Sequence, residues 1–153
     1  MMNGKTAYVC RPLTELPPDW QEIAKRFYEK IADVYCQVAG QRAFVPHEHC
    51  DPTVHANLSP PEVDAIERLQ VQQKTTVLVA VAAFTPSWGG GIEVEMANSA
   101  GVPVIVVHPR DKKVSRLLRG NPAVLEVISY RDESHALALL GSRFADIVLA
   151  RCV

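Results

Sequence analysis

Thr76-Val-Leu-Val-Ala-Val-Ala-Ala-Phe-Thr-Pro-Ser-Trp-Gly-Gly-Gly-Ile-Glu93 holds the two features that decide the fold. Val77 to Ala83 is apolar at every position, so neither face of that strand meets water. Such runs belong at the centre of a parallel sheet covered on both sides. A glycine-rich stretch follows, and then a second pattern, Glu93 to Ser99, reads as a helix ended by Gly101. Strand, glycine turn and helix present backbone N–H groups at a helix start, where negative charge is favoured. No Lys-Ser/Thr follows the glycines, so this is not a Walker A loop, and the spacing is not GxGxxG. Glu93 would repel a phosphate. It suits a carboxylate kept ionised by the helix start, able to attack or stabilise a sugar cation. The plain alternative is a tight turn followed by a glutamate that the first helical turn favours anyway.

Working outward, the same alternation recurs. Thr6–Cys10 is a short β-prone run, broken by Arg11-Pro12-Leu13-Thr14. Asp19 would cap a helix whose apolar stripe is Trp20, Ile23, Phe27, Ile31 and Val34, ended by Gly40. Arg42–Val45 reads as a second strand stopped by Pro46. Residues 46–61 contain four prolines and three histidines and read as a long loop, a feature that in compact domains is usually functional or disordered. Ser59, followed by Pro60, Pro61 and Glu62, is a capping box opening the next helix. Beyond the quoted stretch, 102–107 and 124–129 are strands, 115–119 is a short helix, and Asp132 or Ser134 caps a last helix to about Ile147. Strands alternating with helices predict an α/β fold in one domain over residues 1–153, a doubly wound five-stranded parallel sheet with helices on both faces. Ligands of such folds sit beyond the carboxyl ends of the strands, where Cys10–Thr14, Pro46–His49, Thr85–Glu93 and His108–Ser115 would converge.

Composition narrows the classes of function. Sixteen basic and seventeen acidic residues leave a formal net charge of −1, which argues against a broad nucleic-acid or membrane-surface footprint. No apolar run approaches the length of a membrane span, and the N-terminus does not read as a signal peptide. The expected compartment is the cytoplasm, with Cys10, Cys36, Cys50 and Cys152 as free thiols. Cys50 with His47 and His49 matches none of the usual zinc spacings. Glu62, Asp64 and Glu67 lie on the helix before the central strand, and paired carboxylates beside a sugar are the usual apparatus of glycosidic chemistry. For Glu62 the capping role suffices. Glu95, two positions past Glu93, should face the surface.

These residues carry a resemblance. Pro86-Ser87-Trp88-Gly89-Gly90-Gly91-Ile92-Glu93 matches a pattern Pro-Ser-x-Gly-x-Gly-x-Glu, and from about Ala7 to Tyr130 the chain resembles the nucleoside 2-deoxyribosyltransferase superfamily. It is most similar to the nucleoside 5′-monophosphate N-glycosidases, the branch of 2′-deoxynucleotide and CMP hydrolases. The resemblance implies hydrolysis of an N-glycosidic bond to free base and (deoxy)ribose 5-phosphate, with no metal and no organic cofactor. It implies Glu93 as nucleophile or cation-stabilising carboxylate, and Tyr8, in the matching Ala7-Tyr8-Val9-Cys10 strand, near the sugar and the catalytic carboxylate. Ser87, Arg11 and the N–H groups of Gly89 and Gly91 would hold the phosphate, Tyr8 and Trp88 would wall the sugar or stack on the base, and His47 stands where the family often has a histidine at the end of the second strand. Val114–Gly120 resembles a segment whose serine reaches the neighbouring subunit's phosphate, which implies a homodimer with a composite site and Ser115 as its contribution. Two departures stand out. Glu67 occupies the position of an aspartate that contacts the sugar or assists the leaving base, with Asp64 as the reserve. Arg11-Pro12-Leu13-Thr14 replaces a Gly- and Arg-rich loop. The rivals are base exchange by a deoxyribosyltransferase, which tends to carry Asp where Ser87 stands, and a nucleotide-sensing domain without catalysis.

Overall fold

In the computed structural model, which describes residues 4–153, four parallel strands form one sheet in the order β1-β2-β3-β4: β1 (Thr6–Cys10), β2 (Thr75–Val81), β3 (Val104–Pro109) and β4 (Val124–Tyr130). The helices are α1 (Pro18–Ala39), α2 (His47–Cys50), α3 (Pro60–Lys74), α4 (Trp88–Ser99), α5 (Arg116–Arg119) and α6 (Glu133–Arg151).

The expected fifth strand is a correction. Arg42–Val45 lies beside β1 but makes only a bridge at Phe44, whose N–H donates to Ala7 O at 2.8 Å while its carbonyl accepts from Val9 N at 3.0 Å. Thr6 Oγ1 takes the Arg42 carbonyl at 2.8 Å, displacing a backbone donor, and Pro46 has no N–H to extend the ladder. Counting this segment, the chain follows the 2-1-3-4-5 order of a doubly wound sheet, so its switch point falls between β1 and β2.

Alternation along the strands sorts two cores, one on each face of the sheet. Ala7, Val9, Val77, Val79 and Val81 pack with Phe27, Tyr28 and Ile31 of α1 and Leu140 and Phe144 of α6. Tyr8, Cys10, Leu78 and Ala80 point the other way, against Val71 of α3 and Val94, Met96 and Ala97 of α4. Continuous apolarity in β2 thus reflects burial on both faces.

Other boundaries move for local reasons. α1 begins at Pro18 rather than after Asp19, because Pro suits a first helical turn and its missing N–H costs nothing there. Gly40 ends it at φ 72°, donating to Cys36 O. Trp20 and Ile23, predicted on the buried stripe, are about half exposed, Trp20 lying edge-on to Phe84. The loop at 46–61 is ordered by α2 and by turns around Asp51. Asp132 caps α6 by accepting from His135 N at 2.8 Å, and the helix runs past Ile147 to Arg151. Among the described residues, no helix is long and apolar enough to cross a membrane, and the four cysteines are unpaired.

Phe144 is fully buried and meets Tyr35 edge to face at 5.0 Å, joining α6 to α1. Phe144→Ala should destabilise the domain by about 3–5 kcal/mol, measured by urea unfolding; a loss under 1 kcal/mol would mean that α6 is not part of this core.

Candidate active site

The glycine stretch is helix rather than turn. Ser87 caps α4 by accepting from Gly90 N at 3.1 Å, and Gly91 N donates to Ser87 O at 3.2 Å. None of Gly89, Gly90 and Gly91 has positive φ. The turn reading is therefore corrected, and with it the role of Gly91, whose N–H is spent inside the helix. Gly89 N–H keeps no partner among the described residues. A methyl group at Gly91 would meet nothing within 4 Å, and one at Gly89 only Ser87 Oγ. These glycines leave the first turn bare, so a ligand can approach the backbone. Glycine in a helix costs roughly 1 kcal/mol per residue relative to alanine, so local stability has been given up for access.

Starting the helix at Trp88 moves Glu93 into the second turn. It is no longer a first-turn carboxylate held ionised by the helix start. It is 5% exposed, and it faces the switch point between β1 and β2. Tyr8 Oη donates to Glu93 Oε1. Tyr8 is itself fully buried, stacked on Phe44 at 5.4 Å, which in turn stacks on His49 at 4.3 Å. Burial first, then the Glu93 charge, raises the Tyr8 phenol well above its ordinary range, so it remains a donor. Tyr8 lines neither cavity. Of its two expected neighbours, the Glu93 carboxylate is in contact, and Tyr8 lies behind it, orienting it, rather than in a cavity wall beside the sugar.

Burial also raises Glu93, while the nearby Cys10 thiol, the Tyr8 hydrogen bond, the Arg11 charge and the neighbouring Glu67 carboxyl hold it back. Glu67 is pushed up to about 7, by burial first and then by the Glu93 charge. Of the two carboxyls, Glu67 is the one that the other's charge raises toward neutrality, so Glu93 is the one that ionises first. Asp64, the reserve candidate, is paired with Arg68 at 2.9 Å on the helix surface. Glu62 caps α3, accepting from Ser59 N and Oγ at 2.7 Å. Glu95 is exposed and held by Asn98 and Asn121.

Two cavities meet here, sharing Arg11, Ser87 and Gly90 in their walls. The first, about 480 Å³, lies beyond the carboxyl ends of β1 and β2 and includes Gly91 and Ser115. The second, about 530 Å³, contains Glu67 and Glu93 with Gly89, under the 50–58 loop. Ser115 lines the first cavity of its own chain. Its Oγ accepts from Leu117 N, as Ser87 Oγ accepts from Gly90 N, so both hydroxyl protons are left to donate. Arg11 Nε is buried without a partner.

Two predicted contacts move away. Trp88 is 88% exposed and lines neither cavity, since the first helical turn carries it outward. His47 is buried against α1, its Nε2 at 2.9 Å from Glu29 Oε1, because Pro46 turns the chain into α2 at that point. Burial lowers its pKa. Among the described residues no three His, Cys, Asp or Glu side chains gather where a metal would sit. Sequence reasoning passed over Cys10, whose thiol lies against Glu93 and 3.5 Å from Gly90 O, and His55 in the second cavity.

No family model and no curated protein matches this sequence. Solved structures do. The chain is similar to the Clostridium botulinum CMP N-glycosidase BcmB, with TM-score 0.66 and 18% identity over 91% of this chain and 99% of that one. It is similar to a 2-deoxyribosyltransferase of Bacillus psychrosaccharolyticus, with TM-score 0.58 and 15% identity over 88% and 94%. The Vibrio vulnificus NanR protein, complexed with ManNAc-6P, matches at TM-score 0.52 and 11% identity over 97% and 50%. The chain therefore has the nucleoside 2-deoxyribosyltransferase-like fold, an α/β domain built on a parallel sheet.

Two outcomes test this geometry. A raised carboxyl binds more protons folded than unfolded between the ordinary glutamate range and about pH 7, so it lowers stability as pH rises through that window. Glu67→Gln should remove this penalty and stabilise the protein at pH 8 by on the order of 1–3 kcal/mol, while a variant no more stable than wild type would refute the raised carboxyl. Gly91→Ala should raise Tm, through helix propensity worth up to about 1 kcal/mol, and reduce ligand access to the first cavity. Unchanged ligand affinity alongside a raised Tm would show that the bare turn serves no ligand.

Proposed function

We propose that this protein hydrolyses the N-glycosidic bond of a nucleoside 5′-monophosphate, releasing the free base and (deoxy)ribose 5-phosphate. The observation that carries the reading is the placement of Glu67 and Glu93 together in the wall of a cavity that continues past Arg11 and Ser87. The structural likeness to a CMP N-glycosidase and a deoxyribosyltransferase supports it at the level of fold.

Arg11 and the hydroxyls of Ser87 and Ser115 hold the phosphate on the side of the first cavity, and the Gly89 N–H meets the substrate from the second. That places C1′ at Glu93 and the base in the second cavity. The bond from C1′ to the base nitrogen breaks with its electron pair going to the base, which takes the Glu67 proton. Glu93 stabilises the sugar cation or bonds to C1′. Water then adds at C1′, returning a proton to the pair. Tyr8 keeps the Glu93 oxygens aimed by holding one of them. A homodimer belongs to the proposal, its surface including exposed Trp88 and, in the wall of the first cavity, exposed Leu117.

Chromatography of purified protein incubated with ribo- and deoxyribonucleoside monophosphates should show release of one base, abolished in Glu93→Gln. Since Glu67 must be protonated to donate, kcat/KM should fall as pH rises through about 7, and Glu67→Gln should lose that limb. Release only when an acceptor base is added would favour base exchange instead. Binding without release from any nucleotide would make the domain a sensor.

A further inference from the structure

The 50–58 loop roofs the second cavity, and it is built rather than slack. Asp51 is buried at its start, with Lys25 Nζ of α1 at 2.7 Å and the Thr53 and Val54 amides donating to Oδ1 at 2.8 and 3.0 Å. Burial pushes the Asp51 carboxyl up, but the bonds from Lys25, Val54 and Thr53 outweigh it and bring it to about 2. It is therefore charged, and the loop pinned, across the neutral range.

The purpose of this anchoring is legible at His55. Its backbone N–H donates to Asp51 O at 2.8 Å, and its carbonyl accepts from Leu58 N at 3.0 Å. Its Nδ1 accepts from the Asp51 amide at 3.0 Å. A ring nitrogen that accepts from a backbone N–H cannot carry the proton, so the neutral ring bears it on Nε2. That Nε2–H has no partner among the described residues. The ring is only half-buried and lines the cavity that holds Glu67 and Glu93, among the apolar side chains of Leu13, Leu58, Val63, Ile92 and Met96. Apolar walls with a few placed polar groups, here the His55 donor in a cavity that also holds Arg11, Thr14 and Ser87, are the composition of a site for a flat heterocycle.

We propose that His55 is a specificity-determining residue for the departing base, donating its Nε2–H to a ring nitrogen or carbonyl oxygen on the base edge. This rests on the glycosidase reading, which puts the base in the second cavity. The donor selects heterocycles with an acceptor on that edge, and it stabilises the electron pair that the base receives as the bond breaks. The proton itself comes from Glu67, and His55 contributes a hydrogen bond only.

His55→Asn tests this, because the asparagine Oδ1 replaces Nδ1 as acceptor for Asp51 while the Nε2 donor is lost. His55→Gln does the reverse, offering an amide donor near the Nε2 position. The substrates are the cleaved monophosphate and its deaza analogues, 3-deaza and 7-deaza for a purine or 3-deaza for a pyrimidine, beside the 2-deoxo pyrimidine. His55→Asn should lower kcat/KM about tenfold or more with Tm unchanged, and His55→Gln should recover part of it. One analogue should cost wild type a similar factor and cost His55→Asn nothing further, the non-additivity expected of two partners in one bond. Base release unaffected by His55→Asn, or losses that multiply for every analogue, overturns this role and leaves the glycosidase standing. Absence of base release by wild type from every nucleotide overturns the glycosidase and this role with it.

Discussion

A carboxylate inside a protein core is unstable unless something holds it, and the fold is arranged around that constraint at Glu93. Leaving a buried charge without partners costs several kcal/mol. Here the Tyr8 phenol, the Cys10 thiol and the Glu67 carboxyl surround it, with the Arg11 charge nearby. Three of these four come from the end of β1 or the residue after it. The first strand, the switch point and the second turn of α4 must therefore be in register for the charge to survive. The stack of Tyr8, Phe44 and His49 explains why a segment too short for a strand still lies along β1.

The same arrangement links stability to chemistry. Two glutamates that share one proton cannot both ionise cheaply, which keeps one as a base or nucleophile and the other as an acid at neutral pH. The helical glycines add a second cost, surrendering propensity to leave Gly89 N–H and the serine hydroxyls reachable. Local sequence rules are broken at the place where a ligand would bind, and satisfied almost everywhere else.

Much of this was legible before any coordinates. The two-sided apolarity of 77–83 implies a buried parallel strand, and the capping box at Ser59 implies both the α3 start and the fate of Glu62. The pairing of Glu67 rather than Asp64 with Glu93 was suggested by resemblance, and the ion pair of Asp64 with Arg68 gives it a physical reason. Other features were hidden. Glycines look alike in a turn and in a helix, so the second-turn position of Glu93 did not follow from spacing. Tyr8 falls on the strand face opposite Ala7 and Val9, which period two predicts, yet its place behind the carboxylate depends on the strand's depth in the sheet. His55 sits among turn residues with no periodicity, and only the Asp51 amide shows which nitrogen carries its proton.

The central claim is that Glu67 and Glu93 hold one proton between them near neutral pH. Carbon-13 NMR titration of side-chain-carboxyl-labelled glutamate, assigned with Glu67→Gln and Glu93→Gln, measures this directly. One carboxyl, absent in Glu67→Gln, should titrate near pH 7 in wild type and move down toward the ordinary range when Glu93 is replaced. Two independent titrations in the ordinary glutamate range, unchanged by replacing either partner, would contradict the account.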